Sequence, residues 1–143
     1  KTLKTKNELI LKGEIKFGDG GNMKLLIVDD SNIMRRAIEK YLSAFNLEIV
    51  GNAGDGESAL AIFSETLPDI VTLDITMPRM DGLSCLDKIM QIKPDTKVIV
   101  ISALKDPATG IQAIKKGARG FLSKPFSQEE IIEEMKAYLE DSE

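Results

Sequence analysis

The sequence contains no histidine and a single cysteine, Cys85. The lack of histidine excludes Ser-His and Cys-His catalysis, as well as any metal site built on imidazole. A bound metal would therefore need oxygen ligands, which favours Mg²⁺, Mn²⁺ or Ca²⁺. One cysteine excludes a disulfide within the chain, which is typical of a reducing compartment, and we expect a cytoplasmic location.

Long apolar runs are also missing, since no stretch approaches the roughly 20 residues that span a bilayer. We therefore expect no membrane partner, and the Lys-rich start does not look like a signal peptide. The net charge of −4 argues against a general nucleic-acid binder, so we expect no direct contact with nucleic acid. The chain's 143 residues suffice for one domain with its own core.

Residues 1–22 differ in composition from the rest of the chain. Residues 8–17 have the pattern of a short hairpin, and the Gly-rich residues 18–22 read as a linker. We expect residues 1–22 to be either a flexible N-terminal extension or a short β-arm that pairs with a sheet edge. Met23 opens a compact pattern, so the domain is placed at residues 23–143.

From Met23 onward, strand-like and helix-like segments alternate. Strands are predicted at residues 24–29, 47–53, 69–75, 97–102 and 119–123, and helices at 31–45, 56–66, 82–93, 107–117 and 127 to about 140. Several strands are apolar throughout, which indicates a parallel sheet covered by helices on both faces. We predict an α/β fold, a flavodoxin-like (βα)₅ three-layer sandwich with strand order 2-1-3-4-5.

Single residues sharpen this prediction at the helices. Gly117 should close the fourth helix, and Ser127 with Glu130 forms the capping-box pattern at the start of the fifth. Cys85 is expected to be a small buried residue. The apolar face of the first helix is predicted to contain Ile33, Met34, Ala37, Ile38, Tyr41, Leu42 and Phe45. Arg35 and Arg36 are expected to be solvent exposed, with docking of a kinase as the alternative.

Polar side chains stand where four of the predicted strands end: Asp29, Asp30, Asp74, Ser102 and Lys124. The carboxyl ends of parallel strands share one edge of the sheet, so these side chains should converge. Three carboxylates repel one another, and a hard divalent ion relieves that repulsion while leaving positions for phosphate oxygens. With a lysine and a hydroxyl nearby, such a site suits transfer of a phosphoryl group, with one aspartate as nucleophile.

Each of these residues alone has a plainer interpretation. The acidic pair could serve only as charge at a helix N-terminus, Ser102 as a cap, and Lys124 as part of a turn. Their joint occurrence at successive strand ends favours the phosphoryl site.

Residues 23–141 resemble the receiver domain of two-component response regulators, in particular the single-domain chemotaxis type. The match spans over four-fifths of the chain. It is carried by Asp29-Asp30, Leu73-Asp74-Ile75-Thr76-Met77-Pro78, Met80-Asp81-Gly82, Ser102-Ala103 and Lys124-Pro125-Phe126.

This resemblance implies roles for the site residues. Asp74 would be the phosphoacceptor and would attack a phosphohistidine on a partner histidine kinase. Mg²⁺ (or Mn²⁺) would be bound by Asp30, Asp74 and the backbone carbonyl of Thr76, and by Asp29 mainly through water.

The resemblance also implies a switch. Lys124 would pair first with Asp74 and then with the phosphoryl group, while Ser102 would move towards that group together with Ala103. Phe121 takes the position of the family's switch aromatic; the alternative is a permanently buried core residue. The Lys124-Pro125 peptide bond is a candidate for the cis form.

The family's usual output surface falls at residues 105–141, where a downstream signalling protein would bind; we expect no output domain in this chain. The protein would be a monomer or a phosphorylation-dependent dimer. Neither Thr76 nor Leu104 is acidic or an amide, so we expect slow loss of the phosphoryl group.

Two other functions are conceivable on this fold. An aspartyl-phosphate phosphohydrolase would need a general acid where Thr76 stands, as well as a mobile cap. A flavin-binding carrier would need a phosphate-cradling loop after the first strand, where Asp29 and Asp30 would repel phosphate.

Overall fold

The computed structural model describes residues 23–76, 82–104 and 106–141. The predicted arm at residues 1–22 lies outside this range, as do four residues of the sequence motifs (Met77, Pro78, Met80 and Asp81). The strands are β1 (Met23–Val28), β2 (Leu47–Ala53), β3 (Ile70–Asp74), β4 (Lys97–Ser102) and β5 (Gly120–Ser123). The helices are α1 (Asn32–Tyr41), α2 (Gly56–Thr66), α3 (Gly82–Ile92), α4 (Pro107–Lys115) and α5 (Gln128–Asp141).

The five strands form one parallel sheet in the order β2-β1-β3-β4-β5. This confirms the predicted (βα)₅ fold and its strand order. The chain reverses its direction across the sheet after β2, so β1 and β3 are neighbours although β2 lies between them in sequence. The ends of these two strands form the switch point where ligands bind in sheets of this type.

Two separate apolar clusters lie on the two faces of the sheet, because side chains of a strand alternate between faces. Leu25 and Ile27 of β1 belong to the cluster that includes residues of α1 and α5, whereas Leu26 and Val28 belong to the cluster that includes residues of α2, α3 and α4. Every residue of β3 is buried. Cys85 lies in the second cluster, as predicted, and burial raises the pKa of its thiol to about 11.

The prediction for α1 was wrong in two respects. The helix ends at Tyr41 rather than at residue 45, because the Ser43 and Phe45 N–H groups bond the carbonyls of Lys40 and Leu42 in a tight turn. Ile33 is 83% exposed instead of facing the core. At 3.6 residues per turn it lies roughly 140° around the helix from the buried Ile38, so one narrow face cannot hold both.

The predicted signals at the other helix ends are confirmed. The Ser127 N–H donates to Glu130 Oε1 (3.0 Å) and the Glu130 N–H donates to Ser127 Oγ (3.1 Å), which is the reciprocal capping box. Gly117 follows α4 with φ +111°, a conformation that favours glycine. Among the described residues, no helix is both long and apolar enough to cross a membrane.

Candidate functional site

The carboxyl edge of the sheet brings the predicted site residues together. Asp29 follows β1, Asp74 ends β3, and both are buried, with 0% and 1% of their surface exposed. Lys124 follows β5, and its Nζ lies 2.9 Å from Asp29 Oδ2 and 3.1 Å from Asp74 Oδ2. One ammonium therefore bridges two buried carboxylates at the switch point.

Thr76 fixes the orientation of the Asp74 carboxylate. The Thr76 N–H and the Thr76 hydroxyl both donate to Asp74 Oδ1, at 2.8 and 2.5 Å. Oδ1 is thereby held on the side of the loop after β3, and Oδ2 faces the Lys124 ammonium. The two oxygens of this carboxylate have different surroundings, which matters for any reaction in which one of them attacks.

The backbone also holds the Asp29 carboxylate, but one of its oxygens lacks a hydrogen bond. Oδ1 accepts the Ser31 N–H at 2.9 Å. Oδ2 is buried and makes an ion pair with Lys124 but no well-formed hydrogen bond. A buried carboxylate oxygen in this state favours an additional cation.

The cluster has the donor set that a hard divalent cation requires. Asp29, Asp30 and Asp74 each offer a carboxylate oxygen, and these atoms all lie within 4.8 Å of one another. Oxygens on opposite sides of an octahedral Mg²⁺ are roughly 4.2 Å apart, so small side-chain rotations suffice for binding. Asp30 is exposed, which leaves an open side for water and phosphate oxygens. The residues therefore fit a divalent metal ion.

The pKa values of the buried charged groups reflect their mutual contacts. Burial raises the pKa of Asp29, and the nearby Asp74 charge adds to this, against the opposing effects of the Ser31 N–H and Lys124. Burial alone would lower the pKa of Lys124, but the carboxylates of Asp29 and Asp74 more than reverse this and raise it. The lysine consequently stays charged between the two acids.

Ser102 and the residues around it connect the site to β5. The Ser102 hydroxyl is buried and accepts the Leu104 N–H at 2.9 Å, and its carbonyl accepts the Lys124 N–H at 2.8 Å. Ala103 is exposed directly after it. Phe121 is half-buried and packs against the second apolar cluster. The Lys124-Pro125 peptide bond is cis.

Sequence analysis missed one supporting residue, Arg35. Its guanidinium donates to the backbone carbonyl of Asp29 (2.5 Å) and to Asn32 Oδ1 (3.1 Å), so the prediction of a solvent-exposed arginine was wrong here. The neighbouring Arg36 is exposed, as predicted. A long cationic side chain early in the helix after β1 was the available signal, because it can reach back to the turn that carries the acidic pair.

Comparison with known proteins agrees with this geometry. A family model described as the response regulator receiver domain matches residues 25–136. The chemotaxis protein CheY of Listeria monocytogenes is 46% identical over 111 residues, which cover 78% of this chain and 93% of the relative. CheY of Thermotoga maritima is 42% identical over 110 residues, covering 77% and 92%.

Solved structures give the same result. A CheX–CheY–BeF3–Mg complex from Borrelia burgdorferi contains a chain with a TM-score of 0.80 and 34% identity, covering 87% of this chain and 94% of its own. Neither a phosphohydrolase nor a flavin carrier is favoured by these matches. Because the family model spans most of the sequence and the relatives match along nearly their whole length, the chain belongs to the receiver domains of two-component response regulators and is similar to CheY.

Proposed function

We propose that Asp74 accepts a phosphoryl group from a phosphohistidine of a partner histidine kinase, and that the protein then signals to a downstream protein, in chemotaxis as in its CheY relatives. The observation that carries this proposal is the Lys124 ammonium between the buried Asp29 and Asp74 carboxylates. The protein catalyses only its own phosphorylation and dephosphorylation. It acts in the cytoplasm, without contact to nucleic acid or membrane, as a monomer or a phosphorylation-dependent dimer.

Transfer begins at Asp74 Oδ2, the oxygen that faces Lys124. Oδ2 attacks phosphorus, a P–O bond forms as the P–N bond to imidazole breaks, and the leaving imidazole takes up a proton. Oδ1 becomes the acyl oxygen of the aspartyl phosphate and keeps its contacts with Thr76. The Lys124 ammonium is already in place to stabilise negative charge on the transferred oxygens.

Asp29, Asp30, Asp74 and the Thr76 carbonyl would hold Mg²⁺ (or Mn²⁺), whose charge, when bound, offsets that of the phosphoryl oxygens. Asp30 would thus serve as a direct ligand and Asp29 would act mainly through metal-bound water, while Asp74 alone takes the phosphoryl group. This division follows the chemistry of the donors, since Asp74 Oδ2 lies beside the lysine and Asp30 lies at the open side.

Phosphorylation changes which partners the switch residues have. The Lys124 ammonium leaves Asp74 Oδ2 and binds a phosphoryl oxygen instead. The Ser102 hydroxyl, which accepts the Leu104 N–H before phosphorylation, then donates to a second phosphoryl oxygen. Ala103 and its loop follow Ser102, and Phe121 repacks in the space that this leaves. These steps shift a two-state equilibrium, which alters the output surface at residues 105–141.

The phosphoryl group should be lost slowly. The Thr76 hydroxyl is engaged with Asp74, and Leu104 offers an apolar side chain, so neither orients an attacking water. Loss of label from the isolated, phosphorylated protein measures the rate. A half-life of minutes or longer is expected, and a half-life of seconds would contradict the prediction.

The experiment that tests the function is labelling with acetyl phosphate and Mg²⁺, followed by intact-mass measurement. One phosphoryl group should add to the wild type and none to Asp74→Asn. Asp95→Asn is the matched control, because the Asp95 side chain is 81% exposed at the opposite end of the strands and should not affect labelling. Undiminished labelling of Asp74→Asn would refute the assignment of the acceptor.

A further inference from the structure

The Arg35 side chain reaches from α1 back to the turn that carries the acidic pair. Its Nη1 donates to the Asp29 backbone carbonyl at 2.5 Å, and its Nη2 donates to Asn32 Oδ1 at 3.1 Å. The two bonds use both arms of the planar guanidinium, which fixes its position more firmly than one bond would. Both acceptors are neutral, so an ion pair with the aspartates does not explain where this side chain lies.

The end of β2 completes the surroundings of this guanidinium. The Asp29 N–H donates to the Ala53 carbonyl at 3.0 Å. Gly54 comes next, and a Cβ on it would lie 3.2 Å from Arg35 Nη1 and 3.9 Å from the Asp29 carbonyl oxygen. The missing side chain leaves room for the guanidinium beside this carbonyl. The Asp29 backbone is therefore held at its N–H by β2 and at its carbonyl by α1.

The contact with Arg35 also bears on Asp30. The Asp29 carbonyl and the Asp30 N–H belong to one planar peptide group, so a bond to the carbonyl sets the orientation of the whole group. The Asp30 side chain is exposed, so packing restrains it little and the backbone decides where its carboxylate can reach. A carboxylate oxygen of Asp30 lies within 4.8 Å of those of Asp29 and Asp74. The donor set of the metal site thus depends on this peptide group.

We propose that Arg35 is a positioning residue for the divalent ion. By holding the Asp29 carbonyl, it keeps the peptide group between Asp29 and Asp30 in the orientation that presents the Asp30 carboxylate to the metal. This inference rests on the proposed function, because it takes the acidic cluster as the Mg²⁺ site. It adds a residue outside the ligand set that determines metal affinity, as partners of metal ligands commonly do.

The charge of Arg35 acts against this role, which makes positioning and electrostatics separable. A cation near the site repels a divalent ion, so the removal of charge alone should strengthen metal binding. Loss of the contact with the carbonyl should weaken metal binding. Arg36 is the adjacent, exposed arginine, and Arg36→Ala therefore measures the effect of charge alone.

The test is Mn²⁺ binding to the full chain, followed by the EPR signal of the free ion, with Mg²⁺ as competitor. Arg35→Ala should raise the dissociation constant roughly 10-fold, as expected when a metal ligand loses its supporting contact. Arg35→Lys can make one bond to the carbonyl but lacks the second arm, so it should recover part of the affinity. Arg36→Ala should leave the dissociation constant unchanged or slightly lower.

A second control separates positioning from stability. Lys97→Met removes another charged donor to a backbone carbonyl, that of Tyr138 at 2.8 Å, from the amino end of the sheet. This variant should unfold more easily than wild type and yet bind Mn²⁺ with the same affinity. If Arg35→Ala does not fold, Arg35→Gln takes its place, because it keeps part of the aliphatic stem and should also bind Mn²⁺ roughly 10-fold more weakly.

Labelling with acetyl phosphate at varied Mg²⁺ concentration gives an independent measurement. Arg35→Ala should need roughly 10-fold more Mg²⁺ for half of its maximal labelling rate, but should approach the wild-type rate at saturating Mg²⁺. Loss of labelling in the wild type would refute the proposed function. Normal labelling of the wild type, together with unchanged metal affinity in Arg35→Ala, would refute only the role of Arg35.

Three further outcomes would overturn the inference. Tighter Mn²⁺ binding in both Arg35→Ala and Arg36→Ala would leave only a charge effect. Weaker binding in Lys97→Met, by the same factor as in Arg35→Ala, would leave only a stability effect. An Arg35→Lys variant that binds no better than Arg35→Ala would show that the bond to the Asp29 carbonyl does not set metal affinity.

Discussion

Both ends of the sheet place aspartate next to lysine, but the two arrangements differ in burial and in charge balance. At the carboxyl end, Asp29 and Asp74 are buried and share the single ammonium of Lys124. At the amino end, the partly exposed Asp69 lies 3.8 Å from Lys93. The first arrangement has an excess of buried negative charge, and the second has none.

The backbone contacts of Asp69 explain the second arrangement. Its Oδ2 accepts the Lys24 N–H at 2.9 Å, its own N–H donates to the Lys24 carbonyl, and its carbonyl accepts the Lys97 N–H. Asp69 thus ties together the starts of β1, β3 and β4. The comparison teaches that a satisfied, half-exposed acid next to a strand serves the fold, whereas buried acids with too few cations indicate a binding site.

The largest expected difference between the two ends concerns their lysines. Lys124→Met leaves two buried carboxylates without a cation and should lower the free energy of unfolding by roughly 3 kcal/mol in metal-free buffer. Lys93→Met removes two solvent-screened ion pairs, with Asp69 and Asp95, and should cost less than about 1 kcal/mol. Urea unfolding with a chelator present measures both values. If Lys124→Met and Lys93→Met lowered the free energy of unfolding equally, the proposed difference between the two ends of the sheet would be contradicted.

A smaller effect should come from the arginine that supports the acidic pair. Arg35→Ala removes the bond to the Asp29 carbonyl and should destabilise the fold by about 1.5 kcal/mol, the usual cost of losing a hydrogen bond from a charged group. Arg36→Ala removes the same charge from the adjacent, exposed position and should change stability by less than about 0.5 kcal/mol. Thermal or urea unfolding of the two variants shows whether the position of the arginine or only its charge stabilises the fold.

The smallest effect is a change in pH dependence. Because burial raises the pKa of Asp29 in the folded state, that state binds the proton more tightly than the unfolded chain. The residue therefore contributes less stability as pH rises from its unfolded value of 3.8 through its folded pKa. The stability of Asp29→Asn relative to wild type should accordingly increase from acid to neutral pH without metal.

Unfolding free energies measured across this pH range test the prediction. If the difference in unfolding free energy between Asp29→Asn and wild type did not change with pH, burial would not raise the pKa of the Asp29 carboxyl.

The fold could be predicted from sequence because each strand is short and followed by a helix, and because several of the strands are apolar throughout. The continuous burial of β3 and the capping box at Ser127 were both readable in this way. The end of α1 was not, because Leu42 and Phe45 continue the helical spacing and only the hydrogen bonds of the turn reveal that the chain has left the helix. Exposure of Ile33 likewise depends on which side of α1 meets the sheet.

The candidate site was predictable as a set of residues but not as a set of contacts. Strand ends gave Asp29, Asp74 and Lys124, since parallel strands share an edge. Sequence spacing could not tell that Lys124 bridges both acids, or that Thr76 holds Asp74 Oδ1 with two donors. Such details depend on rotamers fixed by packing. The role of Arg35 was hidden for the same reason, because it contacts a backbone carbonyl and not a side chain.

Lys124 and Asp74 meet across fifty residues of sequence, and they do so only through β4 and β5. The part of the chain that ends with β4 therefore contains the site's aspartates but not Lys124. A nascent or clipped molecule that has not placed β5 beside β4 lacks the lysine and should be unable to capture a phosphoryl group efficiently. Only molecules that have completed folding can therefore be phosphorylated, and damaged molecules do not signal.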